Sequence, residues 1–461
     1  MWWRWGGVCP IRLRCLPESI RPVTIRLSLL VVAAPVLHGV RSWWKGPNVL
    51  RITSIAIVAV VTLAVAPACS SSSTVSPQGS DATSAVSSPS PTGSSNSEVA
   101  LAPEVQEQLQ KVIDDVRQQF NAPGLQAGVW TDSGQWVGTS GTAKVDTTEP
   151  ITPADHTRIG SITKTMTGTV ILQLIDEGAL SFDDVIETFV PGMPNGATAT
   201  IRDLLQMQSG IPAYTDGTTV VEQYAADPTT TFTPQELVDS VKEKPAMFEP
   251  GTKFFYSNTN YVLLGMVIEK VTGKSIADNF DERLFTPLGM SETSVPGDST
   301  ELPAPYLSGI STQADPEGTV KDATNWNPSL AFTAGEAIST LDDLHKWAVA
   351  LGTGEGILPP ETQQLRVDSV NTTVPPNTPE RSYGMGIVNT GGWLGHTGEI
   401  PGYNTVVNYR ADTKTAIVVM VNSDIVLQSG EAPAATAFEG LAAVMTPDSA
   451  ATSAAAATPT G

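Results

Sequence analysis

Ser161-Ile-Thr-Lys164 sets a hydroxyl and an amine three residues apart, a spacing that a helix would bring onto one face. A serine hydroxyl attacks poorly until a base takes its proton, and a desolvated lysine kept neutral can be that base. At a helix start, Ser161 would also lie beside unpaired backbone N–H groups and the positive dipole end, where an oxyanion is stabilised. Tyr256-Ser257-Asn258 follows the turn residues Pro250-Gly251 and precedes an almost wholly apolar stretch, 261–271, which reads as a buried helix. Tyr256 can pass a proton if nearby cations lower its pKa of ~10, and Asn258 offers a donor and an acceptor to an amide. His396-Thr397-Gly398 falls in the glycine-dense run 393–403, read as a strand edge whose glycines let a substrate backbone approach. Taken singly, each motif has a plainer reading. Ser161 would be an N-cap and Lys164 a solvated charge, Asn258 would cap the next helix, and His396 would be structural. Chance alone supplies about one Ser-x-x-Lys in such a chain. Ser42-Trp-Trp-Lys45 is a second instance.

Order and spacing say more. Tyr256 comes 95 residues after Ser161, and His396 comes 140 after Tyr256. The set resembles the serine penicillin-recognising family: class C β-lactamases, DD-carboxypeptidases and related esterases. The stretches 158–165, 176–184, Pro287-Leu-Gly-Met290 and Tyr383-Gly-Met-Gly386 are similar as well, and the resemblance covers about 101–444. It implies a serine hydrolase that forms an acyl-enzyme on amide or ester bonds of a small-molecule, peptide or ester substrate. Ser161 would be acylated, and Lys164 and Tyr256 would share the base and proton-shuttle roles. Asn258 would hold the substrate amide. His396, Thr397, Gly398 and Glu399 would line the opposite wall, with His396 as its electropositive group. The backbone N–H groups of Ser161 and Glu399 would form the oxyanion hole, and no cofactor or metal is implied.

Three departures from the family pattern stand out. His396-Thr-Gly replaces the Lys-Thr-Gly of class C β-lactamases and points toward DD-peptidase or esterase members. Met207-Gln208-Ser209-Gly210 stands where many members have His-Thr-Ser-Gly. Glu399 stands where peptidases often carry a small polar residue. Its charge is expected to disfavour substrates ending in a free carboxylate, unless it faces outward or Arg381 neutralises it. An α/β-hydrolase is excluded, because no Gly-x-Ser-x-Gly elbow occurs. A non-catalytic cell-envelope binding lipoprotein of the same fold remains as the rival reading.

The elements that must position these residues follow from periodicity. A helix is expected over 105–120, a strand pair over 125–130 and 136–140, and an amphipathic helix from 161 to about 176. Residues 160–350 are helix-rich. Strands return at 383–388, 405–409 and 416–421, and a helix closes the body at 435–444. Strands at both ends with helices between give an α/β (α+β) β-lactamase-like class. It consists of an antiparallel sheet from both ends of the domain, flanked by helices, with an inserted helical subdomain.

The 461 residues carry 26 basic and 47 acidic side chains, a net charge of −21. Eight of the basic side chains and one acid precede residue 69, so the remainder is more acidic still and repels nucleic acid. Cys9, Cys15 and Cys69 are the only cysteines, and His156, His345 and His396 show no metal-type spacing. The apolar run 52–66 behind Arg41, Lys45 and Arg51 has signal-peptide character. It ends in Ala66-Pro67-Ala68-Cys69, which resembles a bacterial lipobox without its usual Leu; a plain signal peptide cut near Ala68 is the alternative. Residues 1–40 read as an over-extended start or a first membrane segment. Thirteen of the 31 residues from Ser70 to Ala100 are serine, too little apolar surface to offset ordering. The expected organisation is a leader over 1–68, a tether over 69–100, a hydrolase domain over 101–445 and a tail over 446–461. The expected product is an exported monomer, lipid-anchored through Cys69 to the outer face of the cell membrane, or secreted.

Overall fold

The computed structural model describes residues 99–315 and 317–446. Cys69, the leader, nearly all of the tether and the tail beyond 446 lie outside the described residues. No helix of the described residues is long and apolar enough to cross a membrane.

The main sheet has seven antiparallel strands. They are β1 (Gly124–Thr131), β2 (Gly134–Gly141), β3 (Arg381–Tyr383), β4 (Val388–Thr390), β5 (Trp393–Ile400), β6 (Tyr403–Arg410) and β7 (Thr415–Val421). Their order across the sheet is β2-β1-β7-β6-β5-β4-β3. The last strand therefore lies between the first and the sixth, with Leu125 opposite Val421 and Asn404 opposite that same residue on the other side. Every residue of β7 is buried, which is why Thr-Ala-Ile-Val-Val-Met-Val reads as an unbroken apolar run.

Strand alternation builds two cores. Ile417, Val419 and Val421 face the N-terminal helix Pro103–Gln119 and the C-terminal helix Pro433–Met445, meeting Leu109, Ile113, Phe438 and Leu441. Ala416, Val418 and Met420 face the other way, into the helical half of the molecule. That half is centred on two helices, Thr163–Asp176 and Asn258–Thr272, here called the lysine helix and the asparagine helix. Leu263 and Leu264 are fully buried there, each contributing about 1.5–3 kcal/mol by removal from water.

Both helices differ from simple amphipathic elements. The stretch expected to be amphipathic is buried on all sides from Thr163 to Leu172, because the sheet, the asparagine helix and the turn Phe332–Ala334 enclose it. Its threonines remain compatible with burial by bonding back to the preceding turn, as Thr165 Oγ1 does to Ile162 O (2.6 Å) and Thr169 Oγ1 to Thr165 O (2.7 Å). The strand expected at 383–388 is instead two short strands. Gly386, at φ +65°, turns the chain between β3 and β4, and Gly384 N donates back to Ile387 O (2.8 Å). The run read as a strand edge at 393–403 is an interior strand, β5, paired to β4 and β6.

Candidate active site

Ser161 lies in a single tight turn, Gly160–Ile162, that leads into the lysine helix. Ile162, not Ser161, is the N-cap, so the hydroxyl is not spent on capping. Lys164 is completely buried rather than solvated. Its Nζ donates to Ser161 Oγ (2.8 Å) and to the carbonyl of Ala334 (2.6 Å). Burial drives the Lys164 pKa well below its usual value, because no carboxylate compensates the desolvated charge. Once deprotonated, the amine can keep one N–H for Ala334 and turn its lone pair toward the Ser161 hydroxyl.

Tyr256 approaches from the other side. Its ring centroid lies 5.0 Å from Lys164 Nζ, and its hydroxyl is hydrogen-bonded to Ser161. Burial raises its pKa, with the Ser161 bond opposing, so the phenol stays protonated. Lys164 is not among the causes acting on it, so the lowering expected from a nearby cation is absent. The loop bearing Tyr256 is pinned by the unusual 207–210 segment: Phe255 N donates to Met207 O (2.9 Å) and Gly251 N to Gln208 O (2.9 Å). Ser209 Oγ continues this link to Asn260 Oδ1 (2.6 Å) on the asparagine helix.

Asn258 is the first residue of its helix, with Ser257 as N-cap. Its amide makes no side-chain hydrogen bond among the described residues, and it opens onto a cleft. Ser161, Tyr214, Tyr224, Leu330, Glu399 and Ile400 also line that cleft. No lysine or arginine does.

The third motif sits on β5, pressed against the serine turn. A Cβ on Gly398 would fall 2.0 Å from Ile159 O, and one on Gly160 would fall 2.5 Å from Glu399 N. The Ser161 turn and the Glu399 backbone are thus in contact, which suits a shared oxyanion hole. His396 faces the same side of the sheet as Leu394, toward Tyr256 (ring centroids 6.3 Å) and Tyr383 (5.6 Å). Its Nδ1 donates to Thr397 O (2.5 Å), leaving a buried Nε2 without a partner among the described residues. Burial and then Lys164 push the His396 pKa down to about 3, with Arg381 adding to the effect. The expected electropositive group is therefore an uncharged ring at neutral pH. By alternation Thr397 and Glu399 share the face of Trp393, opposite His396, and Thr397 does not line the cleft.

Glu399 is half-buried, and its Oε1 accepts from Gln313 Nε2 (3.1 Å). The same amide donates to Asp424 Oδ2, which also accepts from Ser311 Oγ (2.8 Å). Burial and Asp424 raise the Glu399 pKa to about 8 against the Gln313 bond, and burial raises that of Asp424 to about 7. The expected charge on Glu399 is thus largely absent at neutral pH. The Ala334 carbonyl, Gln313 and Asp424 were invisible in the sequence. The first is a main-chain group without any side-chain signature, and the others come from distant loops.

Among the described residues, no group of three or more His, Cys, Asp or Glu is placed to hold a metal ion.

Residues 109–442 match the family model described as Beta-lactamase. The chain belongs to the Beta-lactamase family. A D-stereospecific amidohydrolase from Streptomyces sp. is similar in structure, with 30% identity and a TM-score of 0.64 over 73% of this chain and 97% of that one. Penicillin-binding protein 4* of Bacillus subtilis (strain 168) is 29% identical over 302 residues, 62% of this chain and 64% of the relative. A D-aminopeptidase of Cereibacter sphaeroides (strain ATCC 17029 / ATH 2.4.9) is 29% identical over 330 residues, covering 68% and 60%. The chain spans 61%, 64% and 60% of the curated relatives it matches first.

Proposed function

We propose that this Beta-lactamase family member is a serine amidohydrolase that cleaves small amides of D-amino acids through an acyl-enzyme. The observation that carries the reading is the buried Lys164 amine, its pKa lowered by desolvation, 2.8 Å from the Ser161 hydroxyl. Ser161 Oγ attacks the amide carbon while its proton passes to Lys164 Nζ. The amides of Ser161 and Glu399 take up the oxyanion. As the C–N bond breaks, Tyr256 gives its hydroxyl proton to the leaving amine and is reprotonated from Lys164. Water then cleaves the acyl-serine, with the same groups acting in reverse.

Choice among amides, D-Ala-D-Ala peptides and esters rests on the cleft. Its lining holds no basic residue, and His396 is uncharged, so nothing there grips a C-terminal carboxylate. That favours substrates without one. The D-configuration is supported by similarity to the D-stereospecific amidohydrolase and the D-aminopeptidase.

The test compares kcat/KM for a D-amino acid amide, its L-isomer, a D-Ala-D-Ala peptide and a nitrophenyl ester. The D-amide should lead, and a lead for the peptide would refute the proposal. Ser161→Ala should abolish both turnover and labelling by a fluorophosphonate, and Lys164→Ala should slow acylation by at least ~10²-fold.

The address of the protein is part of the proposal. The apolar run 52–66 and Cys69 support export and a lipid anchor, which needs more than one acyl chain to hold firmly. Cys69→Ala should move the protein from the membrane to the soluble extracellular fraction. Retention in the membrane would point instead to residues 1–66 as the anchor.

A further inference from the structure

Glu399 stands on the wall of the cleft in company with Ser161 and Asn258. Its backbone is pressed against the serine turn, and its side-chain charge is felt at Tyr256, the residue hydrogen-bonded to Ser161. The carboxyl is therefore within electrostatic reach of the reacting atoms. Its Oε1 is held by Gln313 Nε2 (3.1 Å), while Oε2 makes no hydrogen bond among the described residues. A second acid lies beyond Gln313. Asp424 Oδ2 accepts from the same amide and from Ser311 Oγ (2.8 Å), and its Oδ1 is buried without a partner among the described residues. No cation offsets the two acids: neither forms an ion pair among the described residues, and the cleft lining holds no lysine or arginine. Asn258 gives a separate sign that a polar ligand belongs here. It is only 7% exposed, its amide has no hydrogen-bonding partner among the described residues, and it lines the same cleft.

We propose that Glu399 selects substrates with a free α-ammonium, its side chain pairing with that cation while its own backbone N–H holds the oxygen of the attacked carbonyl. This rests on the acyl-transfer reading of the site and narrows its substrate class to acyl groups with an unblocked amine beside the scissile carbonyl. In an amino acid amide the amine is attached to the carbon next to the carbonyl. Oxygen and ammonium are thus close enough to be met by the main chain and the side chain of one residue. Gln313 fixes one carboxyl oxygen and leaves the other for a donor, and an ammonium brings both the donor and the missing opposite charge.

Without a substrate the site answers its lack of a cation by protonation, since burial and Asp424 raise the Glu399 pKa to about 8. An arriving ammonium favours the charged form, so the carboxyl ionises as the pair forms and its proton leaves to solvent. A purely structural acceptor for Gln313 would not need an ionisable group, because an amide or hydroxyl oxygen would serve. Nor would it need a place on the cleft wall. A neutral group of the same size in place of the ammonium leaves the two acids without a counterion and loses the charge-assisted bond.

The test compares D-alaninamide with D-lactamide, which carries a hydroxyl in place of the ammonium, using the full chain at pH 7. The wild type should favour D-alaninamide in kcat/KM by roughly tenfold or more, and Glu399→Gln, which keeps an oxygen for Gln313, should bring that ratio close to unity. A wild type indifferent to the ammonium would overturn the inference, as would a Gln variant with the wild-type ratio. The methyl esters of D-alanine and D-lactic acid keep this inference apart from the amidase reading. An ester ratio that favours the ammonium and falls in the Gln variant supports the inference even where neither amide is cleaved. If the Gln variant does not fold, proton release decides. D-alaninamide added to Ser161→Ala should release protons at pH 7 and D-lactamide should not; equal release from both overturns the pairing. Failure of the wild type to label with a fluorophosphonate would sink the acyl-transfer reading instead.

Discussion

A carboxyl that titrates near pH 8 behaves as two different residues across the physiological range. Glu399 is mostly neutral below that point and carries its charge only above it. Any exclusion of substrates ending in a carboxylate should therefore strengthen between pH 7 and 9. Two like charges at 4–8 Å repel by roughly 2–4 kcal/mol at an effective dielectric of 20, more than tenfold in selectivity. The ratio of kcat/KM for a D-amino acid amide to that for a D-Ala-D-Ala peptide should climb with pH in the wild type and stay flat in Glu399→Gln. A ratio that climbs equally in both would assign the effect elsewhere. The linkage has a second consequence. A carboxyl raised in the folded state favours folding at low pH and loses that advantage as pH rises through its folded pKa. Thermal stability should thus fall from pH 5 to 9 less steeply in Glu399→Gln than in the wild type.

At the scale of elements, the site depends on β5 lying flush against the serine turn. Gly398→Ala would drive a methyl to within 2.0 Å of Ile159 O, where only the backbone can yield. Widening that seam displaces the Glu399 amide from the Ser161 amide, and loss of one such donor costs roughly 10²–10³ in kcat. The expected result is a folded protein with kcat down by at least ~10²-fold; an active Gly398→Ala would remove Glu399 from the oxyanion hole. The motifs Ser161–Lys164 and Tyr256–Asn258 were legible because their chemistry lives in side chains at helix starts. The 383–388 turn was not, since Tyr383, Met385 and Ile387 recur at every second position like a strand and only the backbone at Gly386 betrays the reversal. Nor was the all-round burial of the lysine helix. Its threonines look solvent-facing on paper, and only tertiary enclosure makes them bond to their own helix. The charge states of His396 and Glu399 were misjudged for one reason: desolvation has no signature in sequence.

Among the described residues the sheet is closed by its two ends, and residues 99–101 pair with its edge. Gln135 N donates to Val99 O (2.8 Å), and Leu101 N donates to Gln135 O (3.0 Å), extending the edge at β2. A chain trimmed to 96–446 should melt and label like the full protein. One starting at Pro103 should lose roughly 1–3 kcal/mol, two backbone bonds at 0.5–1.5 kcal/mol each. Equal melting of both would show the 99–101 segment to be idle. The central place of β7 bears also on how the protein is made. Ser161, Lys164, Tyr256 and Asn258 have all been synthesised when little more than half of the chain exists, yet β1 still lacks the partner that covers its inner edge. That partner is among the last elements to leave the ribosome. A premature stop after residue 258 and before residue 415 would therefore leave every proposed proton-transfer group in the product and no β7 to close the sheet. Until the final strand arrives, the growing chain carries a long apolar edge open to wrong partners.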